Sequence, residues 1–119
     1  DYFHLIHVRN ALDHAFDAPE AILQLVRALR PGGTLLLHHA RNEADSMNGV
    51  GMHRWSFDVD ESLGSLRCIL KFRGGEWSID LEKVLRGLAS VSVGLHTRQE
   101  LNVTDVDRPK FVFVTIVRH

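Results

Sequence analysis

The sequence has one cysteine, no long apolar run and no large excess of either charge, and each of these features excludes certain classes of protein. Cys68 has no second cysteine to form a disulfide with, so we expect a cytoplasmic protein. No apolar run approaches the roughly 20 residues that a membrane-spanning helix needs. The formal net charge is -1, from 14 basic and 15 acidic residues, so no overall field favours nucleic acid or a membrane surface.

The first forty residues follow the pattern of a strand, a helix and a second strand. Phe3 to Val8 is apolar apart from two histidines, which is typical of a buried parallel strand. A second apolar run covers Thr34 to His39. A helix between the two runs is long enough for the right-handed crossover that joins parallel strands, so the pattern predicts an α/β sheet.

The signals of that helix are specific. Asp17, with Pro19 and Glu20 behind it, predicts a capped helix start. The apolar positions that follow share one helical face: Ile22, Leu25, Val26 and Leu29. Residues 30–33, Arg-Pro-Gly-Gly, end the helix and permit a tight reversal into the second strand.

Beyond Ala40 the alternation of apolar and polar residues predicts a β-hairpin. It runs through Trp55 to Asp60 and again through Leu66 to Phe72, around a turn containing Gly64. We place this hairpin at about residues 53–73.

The last third of the chain predicts a helix and two strands. Leu81, Val84, Leu85 and Leu88 have the spacing of an amphipathic helix. Strands are expected from about Val91 to Thr97 and from Phe111 to Val117.

The first of these segments resemble a known family. Phe3 to His14, followed by Asp17-Ala18-Pro19 and by Ala28 to Leu37, is similar to the fourth strand, the following helix and the fifth strand of class I S-adenosylmethionine-dependent methyltransferases. Arg9-Asn10 followed by Arg-Pro-Gly-Gly also resembles the methyltransferase type 11 group of ubiquinone and menaquinone biosynthesis enzymes. The strong similarity ends near residue 42. Beyond it a helix and two final strands match the family's order, in which the last two strands form an antiparallel pair at the sheet edge.

The resemblance implies a Rossmann-like fold in which residues 1–119 form the C-terminal part of a single methyltransferase domain. The hairpin at about 53–73 is then an insertion. The family's glycine-rich turn and ribose-binding acidic residue have no counterpart, since no apolar strand precedes Gly49 and Gly51. We therefore expect the full-length parent to methylate a small organic acceptor, and this chain alone to bind S-adenosylmethionine weakly or not at all.

The candidate site follows the first strand. Ligands of open parallel sheets bind beyond the carboxyl ends of the strands, so residues from His7 to His14 are expected to line the crevice. The resemblance implies cofactor contacts by His7, Val8, Arg9 and Asn10, and catalytic roles for Asn10 and His14.

Each candidate also has a structural alternative. His14 is either a general base or a turn residue before the helix. Asn10 either contacts a ligand or satisfies the loop backbone, and Arg9 is alternatively a solvated cation. His38 and His39 point to opposite faces of a strand and cannot bind one metal, so no metal site is predicted.

Aromatic residues follow the second strand. His53, Trp55 and Phe57 lie where family insertions cover the acceptor pocket. Such a face either binds an apolar acceptor or packs the hairpin against the domain, and packing is the commoner role.

Two other functions fit the sequence. One is a noncatalytic Rossmann-like remnant that acts as a binding or dimerisation module. The other is half of a nucleotide-binding oxidoreductase, which the spacing of Arg-Pro-Gly-Gly disfavours. Phe3, Leu5, Ile6 and Val8 are apolar on both faces of a strand with an uncovered edge. If the chain stands alone, we expect a homo-oligomer that pairs through Phe3 to Arg9.

Overall fold

The computed structural model describes residues 3–12, 15–40, 54–61, 64–72, 77–97 and 110–119. These residues form seven strands and two helices: β1 Phe3–Arg9, α1 Ala18–Ala28, β2 Leu29–Ala40, β3 Trp55–Asp60, β4 Arg67–Phe72, β5 Trp77–Asp80, α2 Leu81–Val84, β6 Ala89–Thr97 and β7 Lys110–Arg118. Within this part of the chain, no helix has both the length and the apolar character that crossing a membrane requires.

Four strands form a mixed sheet in the order β1-β2-β7-β6. β1 and β2 are parallel and are joined through α1, as the strand-helix-strand pattern predicts. β7 runs antiparallel to both β2 and β6. The last two strands are therefore an antiparallel pair with β6 at the sheet edge, and the predicted α/β class is confirmed as a mixed α/β arrangement.

β1 is parallel to β2 but is not the buried strand that its composition predicts. Ile6 and Val8 are half-buried and pack against the core, whereas Phe3 and Leu5 on the opposite face are 53% and 59% exposed. The physical reason is the side of the sheet on which the core lies. The core packs against the face of β1 that carries Ile6 and Val8, so Phe3 and Leu5 on the opposite face stay exposed.

The two glycines of the Arg-Pro-Gly-Gly segment have different tasks. Gly32 adopts a left-handed backbone with φ 81°, which costs a residue with a side chain. Gly33 has no such angle, but a Cβ there would lie 2.9 Å from the carbonyl oxygens of both Arg30 and Phe3. The segment therefore belongs to β2 and packs closely against β1. β2 begins at Leu29, earlier than the predicted start at Thr34.

Helix α1 is held at both ends. The side chain of Asp17 accepts a hydrogen bond from the backbone N–H of Glu20, which is the predicted cap. At the other end the guanidinium of Arg118 on β7 donates to the carbonyl of Arg27 at 2.9 Å and to that of Leu29. The last strand therefore closes the helix C-terminus as well as the sheet.

A second, smaller sheet has the order β3-β4-β5 and is antiparallel throughout. β3 and β4 pair from Trp55 opposite Phe72 to Asp60 opposite Arg67, as the alternation predicts. The predicted hairpin limits at 53 and 73 lie outside the described residues. The third strand, β5, was not predicted. It pairs with β4, and the hairpin is therefore part of a three-stranded sheet.

Helix α2 is one turn long, and the prediction of a longer amphipathic helix was wrong. Leu81 and Leu85 are fully buried, but the chain leaves the helix after Val84, and Gly87 takes a left-handed φ of 78°. Leu81 enters the core from the helix, and Leu85 enters it from the turn that follows. The helical spacing of the leucines therefore does not show where the helix ends.

An ion cluster joins α2 to the small sheet. Arg67 on β4 contacts Asp80 at 2.6 Å and Glu82 at 3.2 Å, and the hydrogen bond that Arg67 donates to Asp80 raises the pKa of this guanidinium.

Candidate functional site

The carboxyl ends of β1 and β2 lie at the same end of the large sheet because the two strands are parallel. β1 ends at Arg9 and β2 ends at Ala40. Sheets of this kind bind ligands beyond these ends. Among the described residues, Asn10 to Leu12 and Ala15 to Asp17 follow β1, and Arg54 with the start of β3 follows β2; these segments supply side chains of the candidate site.

Asn10 connects the ends of the two strands. Its backbone N–H donates to the carbonyl of His38 at 2.9 Å, and its side-chain oxygen accepts from the N–H of Ala40 at 3.0 Å. Its φ of 49° lies in the left-handed region, where asparagine is among the few residues that settle readily. The structure thus gives Asn10 a backbone role, and its contact with a ligand stays a prediction.

His39 holds the next two residues of the same loop. Its ring is 1% exposed, and its Nε2 accepts from the N–H of Ala11 at 3.3 Å and from the N–H of Leu12 at 3.1 Å. Because Nε2 accepts twice, the neutral ring carries its proton on Nδ1. The ring also stacks on Phe57 of β3, with centroids 4.1 Å apart and an interplanar angle of 18°. His39 therefore ties the loop after β1, the end of β2 and the small sheet together.

Sequence reasoning missed this role of His39, although one signal was present. His39 follows Leu35 and Leu37 at alternate positions, on the face of β2 that is buried. A polar ring at the end of an apolar face requires hydrogen-bond partners. Those partners lie 27 and 28 residues away in sequence, so no local pattern names them.

The other predicted site residues lie on or after β1. His7 and Arg9 are exposed and share one face of the strand, and Val8 is half-buried on the other face. His14 and Asp13 lie outside the described residues. The structure therefore brings His7, Arg9 and Asn10 to one end of β1, and the side chain of Asn10 accepts a hydrogen bond from β2.

An aromatic pocket of about 440 Å³ lies between the start of α1 and the small sheet. Six of the described residues line it: Phe16, Asp17, Arg54, Trp55, Phe72 and Trp77. The indole N–H of Trp55 donates to the carbonyl of Phe16 at 3.4 Å, which connects the segment before α1 to β3. We call this cavity the aromatic pocket.

The rings of the aromatic pocket meet at steep angles. Trp55 lies 5.0 Å from Phe72 at 50° and 5.6 Å from Trp77 at 77°. Phe16 is 86% exposed and Trp77 is 50% exposed, although Trp55 beside them is buried. Large apolar side chains that are exposed around a concave surface are typical of a ligand site.

The sequence pointed to this region through Trp55, but not to most of its walls. Phe57 is 1% exposed and packs on His39, so it has the packing role that was the alternative to binding an acceptor. Phe16 and Trp77 were missed, since single aromatic residues in a loop and in an unpredicted strand form no pattern. His53 lies outside the described residues.

Two opposite charges border the aromatic pocket. The carboxylate of Asp17 accepts from the N–H of Glu20 at 3.1 Å, at the positive end of the α1 dipole. The guanidinium carbon of Arg54 lies 5.8 Å from the centre of the Phe16 ring, a cation–π contact. The arginine therefore stands at the rim with its charge directed over an aromatic face.

Neither a reactive thiol nor a metal centre is found in the part of the chain that the structure describes. Cys68 is fully buried, and burial raises the pKa of its thiol far above the ordinary value, with a smaller contribution from Asp80. A protonated, inaccessible thiol is a poor nucleophile. The described residues also contain no group of three or more His, Cys, Asp or Glu side chains able to hold a metal ion.

Comparison with known proteins adds little to this picture. No family model and no curated protein matches the sequence. Among solved structures, the chain is similar to the PH0226 protein from Pyrococcus horikoshii, with a TM-score of 0.44 and 10% identity. The match covers 98% of this chain and 54% of that protein, so this chain spans about half the length of the structure it matches. A likeness of this size is too weak to support an assignment.

Proposed function

We propose that this chain is the carboxyl-terminal part of a class I S-adenosylmethionine-dependent methyltransferase domain, and that the full-length protein methylates a small organic acceptor. The observation that supports this most is the sheet order β1-β2-β7-β6, with β1 and β2 parallel and the last strand reversed between β2 and β6. An antiparallel pair of final strands at the edge of the sheet is what the resemblance to the family implies.

The residues present fit the rim of a cofactor site and not the whole of it. His7 and Arg9 are exposed at the end of β1, and within the described part of the chain no strand pairs with the outer edge of β1. In the resembling family the strand with the glycine-rich turn adjoins this edge. His7, Val8, Arg9 and Asn10 are therefore the proposed contacts to S-adenosylmethionine.

S-adenosylmethionine supplies a methyl group on a positively charged sulfur. Its transfer is an in-line displacement, so the protein contributes mainly by aligning the acceptor and excluding water. The aromatic pocket is the proposed acceptor site, because its walls adjoin the carboxyl ends of β1 and β2: the start of α1 follows β1 along the chain, and β3 packs on His39 near the end of β2 through Phe57. Asn10 and His39 fix the intervening loop to the end of β2 and so hold the pocket wall relative to the strand. His14 is the proposed base where the acceptor must lose a proton.

A second candidate, a noncatalytic binding or dimerisation module, is favoured by a different observation. Phe3 and Leu5 are more than half exposed on β1, and backbone groups along the outer edge of this strand have no neighbouring strand among the described residues. Such an edge can add a strand from another chain.

Calorimetric titration of S-adenosylmethionine into the full-length protein and into residues 1–119 separates these functions. The methyltransferase proposal predicts binding by the full-length protein and little or none by residues 1–119. Failure of the full-length protein to bind S-adenosylmethionine would overturn it. Dimerisation of that protein through β1, abolished by Leu5→Lys, would then support the module.

A further inference from the structure

The charge and shape of the aromatic pocket select a class of ligand. We infer that it binds a flat aromatic compound of one or two rings that carries a negative charge, such as an aromatic carboxylate or a phenolate. This deepens the proposed function, since it names the class of acceptor, and it rests on that function only for the role of the ligand as acceptor.

The shape argument comes from the rings. A volume of about 440 Å³ lies within the range of small-molecule sites, which runs to several hundred Å³. The exposed rings of Phe16 and Trp77 offer aromatic surface to an incoming ring, and Trp77 is held near-perpendicular to the buried Trp55, so faces and edges both line the cavity. Aromatic rings favour both of these contacts over apolar packing alone. A flat conjugated ligand uses them better than an aliphatic one.

The charge argument compares Asp17 with Arg54. The negative charge of Asp17 is partly offset, because its carboxylate accepts the N–H of Glu20 and lies at the positive end of α1. Arg54 has no carboxylate within ion-pair distance among the described residues, and its charge lies over the ring of Phe16. Among the described residues that line the pocket, Arg54 is therefore the charge that a ligand can pair with.

The same comparison decides against a quaternary ammonium ligand. Clusters of aromatic rings bind such cations through their faces, and the aromatic pocket has four aromatic side chains. Arg54 already lies against one of them, Phe16, and would repel a second cation. An anionic group placed at the guanidinium gains a charge-assisted hydrogen bond instead.

Three nitroaromatic probes of similar size test this inference: 4-nitrobenzoate, the neutral 4-nitrobenzyl alcohol and the cationic 4-nitrobenzyltrimethylammonium. Trp55 and Trp77 are the two tryptophans of the sequence, and both line the aromatic pocket. Quenching of their fluorescence therefore reports binding at this place, and calorimetry on the full-length protein gives the affinity. We expect 4-nitrobenzoate to bind about five to ten times more tightly than the other two, as a charge-assisted contact at a partly exposed site allows.

Variants separate the charge from the rings. Arg54→Gln should remove the preference for 4-nitrobenzoate and leave the affinity for the alcohol within about twofold, whereas Arg86→Gln, at an exposed arginine that does not line the pocket, should change neither. Phe16→Ala should weaken all three probes, and because this side chain is 86% exposed the thermal midpoint serves as a check that the fold is kept.

Tighter binding of the cation than of 4-nitrobenzoate would overturn the inference, as would the absence of quenching by any probe at millimolar concentration. Neither result depends on methyl transfer. Conversely, selective binding of 4-nitrobenzoate by a protein that binds no S-adenosylmethionine would support the pocket and refute the methyltransferase proposal.

Discussion

The two sides of the candidate site are built in different ways. At the carboxyl ends of β1 and β2, the polar side chains of Asn10 and His39 bind backbone groups of the same chain. In the aromatic pocket, Phe16 and Trp77 remain half or more exposed, although large apolar side chains gain free energy from burial. The first region is organised for rigidity, and the second leaves surface that a ligand can cover.

This difference separates two kinds of expected effect. Substitutions at the strand ends should lower the free energy of unfolding. Substitutions at exposed positions of the aromatic pocket should lower ligand affinity and leave stability nearly unchanged. The following substitutions, in order of decreasing effect, test whether the two regions separate in this way.

The largest expected effect is that of Gly33→Ala. A Cβ at Gly33 would lie 2.9 Å from two backbone oxygens, so β1 or β2 must move. We expect a loss of about 2–3 kcal/mol in the free energy of unfolding, the size of an overpacked core substitution. Gly32→Ala is the matched control: it meets no atom within 4 Å and carries only the strain of its left-handed φ, about 1 kcal/mol. Urea unfolding of both variants would contradict the account if the two losses were equal.

His39→Phe should cost about 1–3 kcal/mol, because it leaves the buried N–H of Leu12 and the part-buried N–H of Ala11 without their acceptor. The new ring can still stack on Phe57, so the substitution removes the hydrogen bonds more than the packing. His7→Phe makes the same change at an exposed position and should stay within about 0.5 kcal/mol. Equal unfolding midpoints in urea for the two variants would show that His39 does not hold the loop.

The small sheet should show a pH dependence that comes from Cys68. Burial raises the pKa of this thiol in the folded protein, so the folded state keeps a proton that the unfolded state releases above about pH 8.5. Stability from this group is therefore present below that pH and is lost above it, by about 1.4 kcal/mol per pH unit. Unfolding free energies measured between pH 8 and 10 should fall less steeply for Cys68→Ala than for the wild type. Parallel pH profiles would contradict the buried thiol.

Asn10→Ala should lose about 1 kcal/mol, since the N–H of Ala40 loses its acceptor and alanine tolerates a φ of 49° poorly. Asn10→Gly separates the two causes, because glycine accepts the angle without strain but supplies no acceptor. If neither variant changes the thermal midpoint, and methyl transfer by the full-length protein falls instead, the ligand role of Asn10 is the correct one.

How far the sequence predicted the molecule depended on how local each signal was. The cap at Asp17 and the apolar spacing of α1 lie within a few residues of each other, so the strand-helix-strand unit was predictable. β5 has four residues and is defined by pairing with β4, which no local pattern reveals.

The candidate site was harder to predict than the fold. Asn10 was identified with both of its possible roles, but its backbone partner Ala40 lies 30 residues away, where no local pattern names it. The backbone N–H groups that donate to His39 lie 27 and 28 residues away in sequence. Phe16 resembles any loop residue until Trp55 and Trp77 are placed beside it.

The central claim is that the aromatic pocket holds the acceptor of a methyl transfer, and the kinetics of Trp77→Leu in the full-length protein test it most directly. Trp77 is 50% exposed, so its loss should leave the thermal midpoint close to that of the wild type. We expect the KM for an aromatic carboxylate or phenolate acceptor to rise about tenfold, the size of one lost aromatic contact, while the KM for S-adenosylmethionine is unchanged. Val117→Ala, at an exposed apolar position of β7 outside the pocket, should alter neither constant. An unchanged KM for the acceptor in a folded Trp77→Leu protein would contradict the account.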